Sequence, residues 1–242
     1  MGKLTKFIAD KREAKIYRYI LQGEGFGRDY CLNLGAGAES NNEKYINVDI
    51  HKANNIDVTG DIRTVFAPIY DQHLAEFPDL LNLDASQFKF IRLHHVIEHI
   101  EWIYQERMFD WLSELLLLGG WVYIETPNLE YVAKTYLKSA QARKGVQKVI
   151  GQKEGFPFDD HPYLSERRDV DITRWFNAKA FSGCSTNRYI NGCVDGDFHH
   201  CLYDEFWLRS ILKEKGFKVL VFNNSMNLSV VAEKVKELSG EQ

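Results

Sequence analysis

Short apolar runs separated by longer amphipathic stretches set the order of elements along the chain. The runs YCLNL (30–34), KYINVDI (44–50), FKFIRLHH (88–95) and WVYIETP (121–127) read as strands, with Ile91 and Leu93 on one side of the third of them. NIDVTGDI (55–62) predicts a shorter strand ending at Thr59 or Gly60, and FKVLVFNN (217–224) and LSVVAEKV (228–235) predict a final pair. Between them lie stretches of 3.6-residue period. These are residues 8–22, the long run IEHIEWIYQERMFDWLSELLLL (97–118) ahead of Gly119-Gly120, and DEFWLRSILKEKG (204–216) with its glycine stop. A short helix is expected around 70–82, between Pro68 and Pro78. Strands alternating with helices predict an α/β fold with a mostly parallel sheet. The alternation breaks between Asn128 and about Phe198, too long a span for an ordinary loop. It opens with a helical pattern and holds Trp175, Phe176, Phe181 and Tyr189, which predicts an ordered insertion within a single domain covering 1–242.

Composition narrows the function. The chain has 242 residues, 45% hydrophobic and 13% aromatic, enough for one sizeable core. A net charge of -4 speaks against general nucleic-acid binding, which needs a basic field. No apolar run approaches the roughly 20 residues that span a bilayer. The first fifteen residues lack the apolar core of a secretory signal, so a cytoplasmic location is expected. The four cysteines are then expected as free thiols. Three of them, Cys184, Cys193 and Cys201, fall near His199 and His200, but the spacings fit no common zinc module.

The segment YCLNLGAGAESNNEKYINVDI (30–50) carries the chemistry. A glycine turn after a first strand lets backbone approach a ligand, and an acid after the second can accept hydrogen bonds from ribose hydroxyls. Gly35, Gly37 and Asp49 meet that description. The dinucleotide fingerprint wants a third glycine where Ser40 stands and an acid farther on than Asp49. The link from Leu34 to Tyr45 is also too short for a crossover helix to hold a pyrophosphate. S-adenosylmethionine has no phosphate and needs no such helix, so it is favoured over a nicotinamide.

With LNLGAG, YINVDI, DVTGDI, HHVIEHI, LLLLGGWVYIETPN and HCLYDEFWLRSILKEKGF in this order, the chain resembles the class I S-adenosylmethionine-dependent methyltransferases. The likeness covers most of 28–127 and 199–235. It implies a Rossmann-like, seven-stranded sheet with an antiparallel last strand, helices on both faces and S-adenosylmethionine as cofactor. Gly35 and Gly37, with Ala36 between them, would pack on the methionine part of the donor. Asp49, with Ile50 beside it, would take the ribose hydroxyls, and Asp61 with Ile62 the adenine. Asn33 and His94 would complete the donor contacts. Asn33 stands where many relatives have Asp, and Ala36 where many have Cys.

The same resemblance places His94 and His95 beside the reactive methyl, where one could take a proton from an attacking hydroxyl or amine. The letters His95-x-x-Glu98-His99 also spell a zinc motif in which two helical histidines bind metal and the glutamate is the base. A strand running directly into the motif opposes that context, and no metal is expected. Asp160, His161 and Tyr163, in the insertion, are candidate substrate contacts in a pocket lid, and the basic run from Lys134 to Lys153 is expected as a solvated helix face, with attraction of an acidic acceptor as the alternative. The expected activity is methyl transfer to an oxygen or nitrogen of a small molecule or glycan. The alternatives are a non-catalytic S-adenosylmethionine-binding protein and a nicotinamide-dependent oxidoreductase. Oligomeric state is not encoded in any of these patterns.

Overall fold

The computed structural model describes residues 26–37, 43–66, 83, 86–142 and 199–237, and of 138–142 the backbone only. The helices expected at 8–22 and 70–82, and the insertion from residue 143 with Asp160, His161, Tyr163, Cys184 and Cys193, lie outside the described residues.

Seven strands make one sheet: β1 (Cys31–Leu34), β2 (Ile46–Asp49), β3 (Val58–Thr59), β4 (Phe88–His94), β5 (Leu116–Pro127), β6 (Phe217–Asn224) and β7 (Asn227–Lys234). Their order is β3-β2-β1-β4-β5-β7-β6. The first five run parallel, and β7 runs antiparallel to both β5 and β6. The described α-helices are α1 (Arg63–Phe66), α2 (Gln105–Leu115), α3 (Leu129–Ala142) and α4 (Glu205–Glu214). This is the mostly parallel α/β sheet the alternation of patterns predicts, in the Rossmann-like form with a reversed last strand that the resemblance implies.

Alternate residues of the central strands face opposite sides. On one side Leu32, Leu34, Ile91, Leu93, Val122 and Ile124 join Met108, Phe109 and Leu112 of α2 and Leu208 and Leu212 of α4 in the main core. On the other, Cys31, Tyr45, Phe90 and Val231 form a smaller cluster with Phe26, Trp121 and Tyr123 against it. The helix α4 starts where Asp204 accepts from the Trp207 N–H at 2.7 Å, an N-cap that meets one of the free first-turn donors.

Two boundaries differ from the 3.6-residue pattern. The run from Ile97 to Leu118 is not one helix. Residues 97–99 and 102–104 form 3-10 turns, and α2 begins only at Gln105. The Gln105 side chain is the cause, because its amide donates to Ile97 O at 3.1 Å and Ile100 O at 2.7 Å and so folds the corner back on the helix start. At the other end, Leu116 already pairs with Phe88, and the ladder resumes at Trp121 opposite Phe90. Gly119-Gly120 therefore sits in a bulge of β5, with Gly119 at φ +80°, and does not end the helix.

The turn after β1 fixes how closely the carboxyl ends of β1 and β4 approach. Gly35 has φ +64°, and a Cβ there would lie 2.3 Å from Val96 Cγ2. Gly37 has φ +70°, but a Cβ there would meet nothing within 4 Å. The two glycines thus serve different ends: Gly35 for close packing, Gly37 for backbone conformation beside open space. Gly37→Ala should cost about 1–2 kcal/mol for the left-handed backbone. Gly35→Ala should cost more, by about 1–3 kcal/mol of overpacking against Val96. Denaturant unfolding of both variants measures the difference, and equal losses would contradict the packing role of Gly35.

Candidate active site

A cavity of about 350 Å³ opens at the carboxyl ends of β1, β2 and β4, where open α/β sheets bind ligands. Gly35, Ala36 and Gly37 form one wall, Asp49, Ile50 and His51 the next. Gly60, Asp61, Ile62 and Arg63 follow from the β3 end, and His94, His95, Val96, His99 and Ile100 close it from the β4 corner. The structure thus brings together every donor residue expected from the sequence except one.

The exception is Asn33. Its side chain is fully buried in a polar row across the sheet, donating to Asn47 Oδ1 at 2.9 Å and accepting from Arg92 at 3.0 Å. Asn33, Asn47 and Arg92 are register partners on one face. Asn33 therefore contributes to strand pairing and does not line the cavity, which corrects the expected donor contact.

Asp49 is tied to the backbone. Its Oδ2 accepts from the Gly37 N–H and its Oδ1 from the His51 N–H, both at 2.8 Å. Each oxygen keeps a second lone pair for a ligand. The same carboxylate that could meet ribose hydroxyls thereby holds the glycine turn against the end of β2. Asn55 clasps the turn from the other side, donating to Gly37 O at 3.1 Å. Asp61 lines the cavity too, but Arg63 engages it through Nε at 3.0 Å and through a terminal nitrogen at 2.7 Å. Arg63 is almost fully buried and also reaches Glu101 at 3.5 Å.

The β4 end carries the histidines. His95 has φ +56°, unusual for so bulky a side chain. Its N–H donates to Glu125 O at 2.8 Å, and its Nδ1 lies 2.9 Å from Glu98 Oε1. Its Nε2 is 3.4 Å from the Asn227 amide nitrogen. The strained backbone turns the ring back over the sheet end. His94 packs edge-to-face on His95 with centroids 4.7 Å apart. Both rings stay partly exposed, 43% for His94 and 38% for His95. The H-x-x-E-H letters do not lie on an α-helix: His95 precedes the 3-10 turn Ile97–His99. The helical zinc-hydrolase geometry is not formed.

Glu125, Tyr123 and Asn227 were not singled out in the sequence. They stand beside the two histidines because β5 and β7 end or begin there. His94 at 3.7 Å, the Tyr123 hydroxyl and the Asn227 amide hold the Glu125 carboxyl down to about 2. The signal available was position, since Glu125 stands near the carboxyl end of a predicted strand. The thiols of Cys31 and Cys201 are both free, and burial pushes each up to about 11, which leaves them poor nucleophiles near neutral pH.

A family model described as "Methyltransferase domain" matches residues 14–221, most of the chain. The chain belongs to this family. The methyltransferase is accordingly an enzyme whose cofactor is S-adenosylmethionine. No curated protein matches it. Among solved structures it is similar to a SAM-dependent methyltransferase from Archaeoglobus fulgidus, at 15% identity over 95% of this chain and 96% of that one, with a TM-score of 0.47. It is also similar to the 1,6-didemethyltoxoflavin-N1-methyltransferase of Burkholderia thailandensis, at 10% identity over 97% and 82%, TM-score 0.44. A third is the magnesium protoporphyrin IX methyltransferase of Synechocystis, at 10% identity over 92% and 81%, TM-score 0.44. In the described residues of the methyltransferase no helix is long and apolar enough to cross a membrane.

The donors around Glu125 make acid stability a test of this geometry. Its folded carboxyl lies below the ordinary value of 4.5, so folding favours the ionised form. That contribution is complete above about pH 4.5 and is lost as the pH falls toward about 2. Between those values Glu125→Gln should lose melting temperature less steeply than the parent. Parallel slopes in thermal melts would show that the carboxylate is not held as described.

Proposed function

We propose that the cavity binds the methyl donor along the Gly35–Gly37 turn and Asp49, and presents its methyl group toward His94 and His95. The observation that supports this reading most is the continuity of one cavity from the glycine turn to the β4 histidines. S-adenosylmethionine fits the residues present. The position beside Gly37 is open, and Asp49 keeps acceptor capacity for ribose hydroxyls. Ile62, Ile50 and Ala36 offer apolar contact, and Asp61 offers a carboxylate edge steadied by Arg63. When bound, the donor supplies an electrophilic methyl group on a sulfonium.

The chain's own part is binding, orientation and handling of a proton. Asp49 fixes the turn and the donor together. His95 is oriented by Glu98 at Nδ1, and its Nε2, beside Asn227, is the nitrogen that receives a proton from an attacking hydroxyl or amine. His94 and Glu125 supply polar surface beside it. The acceptor is a small molecule or a glycan, approached through an oxygen or nitrogen. Acceptor selection falls to residues 128–198, with Asp160, His161 and Tyr163 as the candidate acceptor residues within the single domain.

Three experiments test the assignment. S-adenosylhomocysteine should raise the melting temperature while NAD does not, since only a ligand of the native state stabilises it. Asp49→Ala should raise the donor KM more than it lowers kcat. A lost charge-assisted hydrogen bond is worth about 1.5–3 kcal/mol, or roughly ten- to a hundredfold in affinity. His95→Ala should keep near-normal donor affinity while turnover falls by about a hundredfold. Unchanged donor binding in Asp49→Ala would displace the cofactor from this cavity, and loss of donor binding in His95→Ala would reduce His95 to a brace.

A further inference from the structure

Glu98 is fully buried, and the ion pairs it makes among the described residues are with histidines. Its Oε1 lies 2.9 Å from His95 Nδ1 and 4.0 Å from His199 Nε2. Its Oε2 accepts from the Thr126 hydroxyl at 3.1 Å. A carboxylate removed from water needs compensating positive charge, and no lysine or arginine pairs with it among the described residues. Imidazoles surround it: His95, His99 and His199.

Two of those imidazoles meet each other. The rings of His99 and His199 pack edge-to-face with centroids 4.8 Å apart. One ligand atom each from Glu98, His99 and His199 lies within 4.8 Å of the other two. The third residue is no chance neighbour. The N–H groups of His200 and Cys201 both donate to Glu98 O, at 2.8 and 3.1 Å, and the Tyr203 hydroxyl donates to Ile97 O at 3.3 Å. The segment that carries His199 is stapled to the same turn that carries Glu98 and His99.

We propose that Glu98, His99 and His199 form a binding site for a divalent transition-metal ion. Two imidazoles and one carboxylate suit zinc, manganese, iron or cobalt. The ion supplies the charge that Glu98 lacks. The second lone pair of Oε1 accepts from His95, the usual outer hydrogen bond to a ligating carboxylate. Spacing concealed the set: the H-x-x-E-H letters point to His95 and His99 on a helix with glutamate as base. Here Glu98 is itself a ligand, and the third ligand comes from about a hundred residues downstream. His99 lines the cavity, so the ion would lie in its wall with a position open to an acceptor oxygen, which it would polarise. That last role rests on the methyl-transfer reading; binding of the ion does not.

The test uses the full chain without a polyhistidine tag, stripped by chelator and titrated with cobalt, manganese or zinc alone, with neither donor nor acceptor present. One equivalent should bind, and cobalt should give the visible bands of a mixed nitrogen and oxygen set. His99→Ala and His199→Ala should each weaken binding by more than about a hundredfold, beyond what loss of an outer hydrogen bond costs. Cys201→Ser should bind as the parent does; a loss there would shift the site to the thiol and overturn the proposal. If a histidine variant does not fold, X-ray absorption of the zinc-loaded parent reads the ligands directly. Two imidazoles are expected, and a set without them overturns the assignment. So does the absence of binding at millimolar metal, or binding indifferent to His99 and His199. Binding of S-adenosylhomocysteine, measured separately, shows whether the donor site stands whatever the metal result.

Discussion

The contact of Gly35 with Val96 is the constraint on which the rest of the site depends. Only a residue without a side chain lets the turn after β1 come so near the corner after β4. That approach puts Gly37 and the end of β2 on one side of a cavity and the β4 histidines on the other. Asp49 then locks the turn from beneath through Gly37 N–H, while Glu125 O locks the corner through His95 N–H. Both locks are made by protein groups alone, a backbone amide held by a carboxylate on one side and by a carbonyl on the other.

Several polar groups here serve structure and chemistry together. Asp49 braces a turn and keeps lone pairs for a ligand. Glu98 pins His95 through its side chain and the 199–203 segment through its carbonyl. Such double duty makes single substitutions hard to interpret from activity alone. Donor affinity, stability and turnover need to be read separately for each variant.

The sheet was legible because its strands announce themselves. β1, β2 and β4 are short apolar runs, and β6 and β7 match their runs almost residue for residue. The glycine turn and Asp49 were legible because chemistry at strand ends is local. What periodicity could not show was competition from specific side chains. Gln105 breaks an apparent long helix by capturing Ile97 O and Ile100 O, and the leucine run ahead of Gly119 enters β5 once Leu116 pairs with Phe88. Asn33 reads as a ligand contact until its register partners Asn47 and Arg92 are known. His199 and Asn227 reach the β4 corner only through tertiary folding, which no spacing rule encodes.

The pairing of Asn128 with Tyr203 has a consequence for how such an enzyme could change over time. Leu129 N–H donates to Tyr203 O at 2.8 Å, and Asn128 and Tyr203 form a parallel bridge. The chain thus leaves the sheet and returns to it at one fastened point. The closure entropy of a longer or shorter excursion grows only slowly with its length. The excursion can therefore change in length at little entropic cost while Asn128 stays fastened to Tyr203 and the segment at 200–201 stays fastened to Glu98.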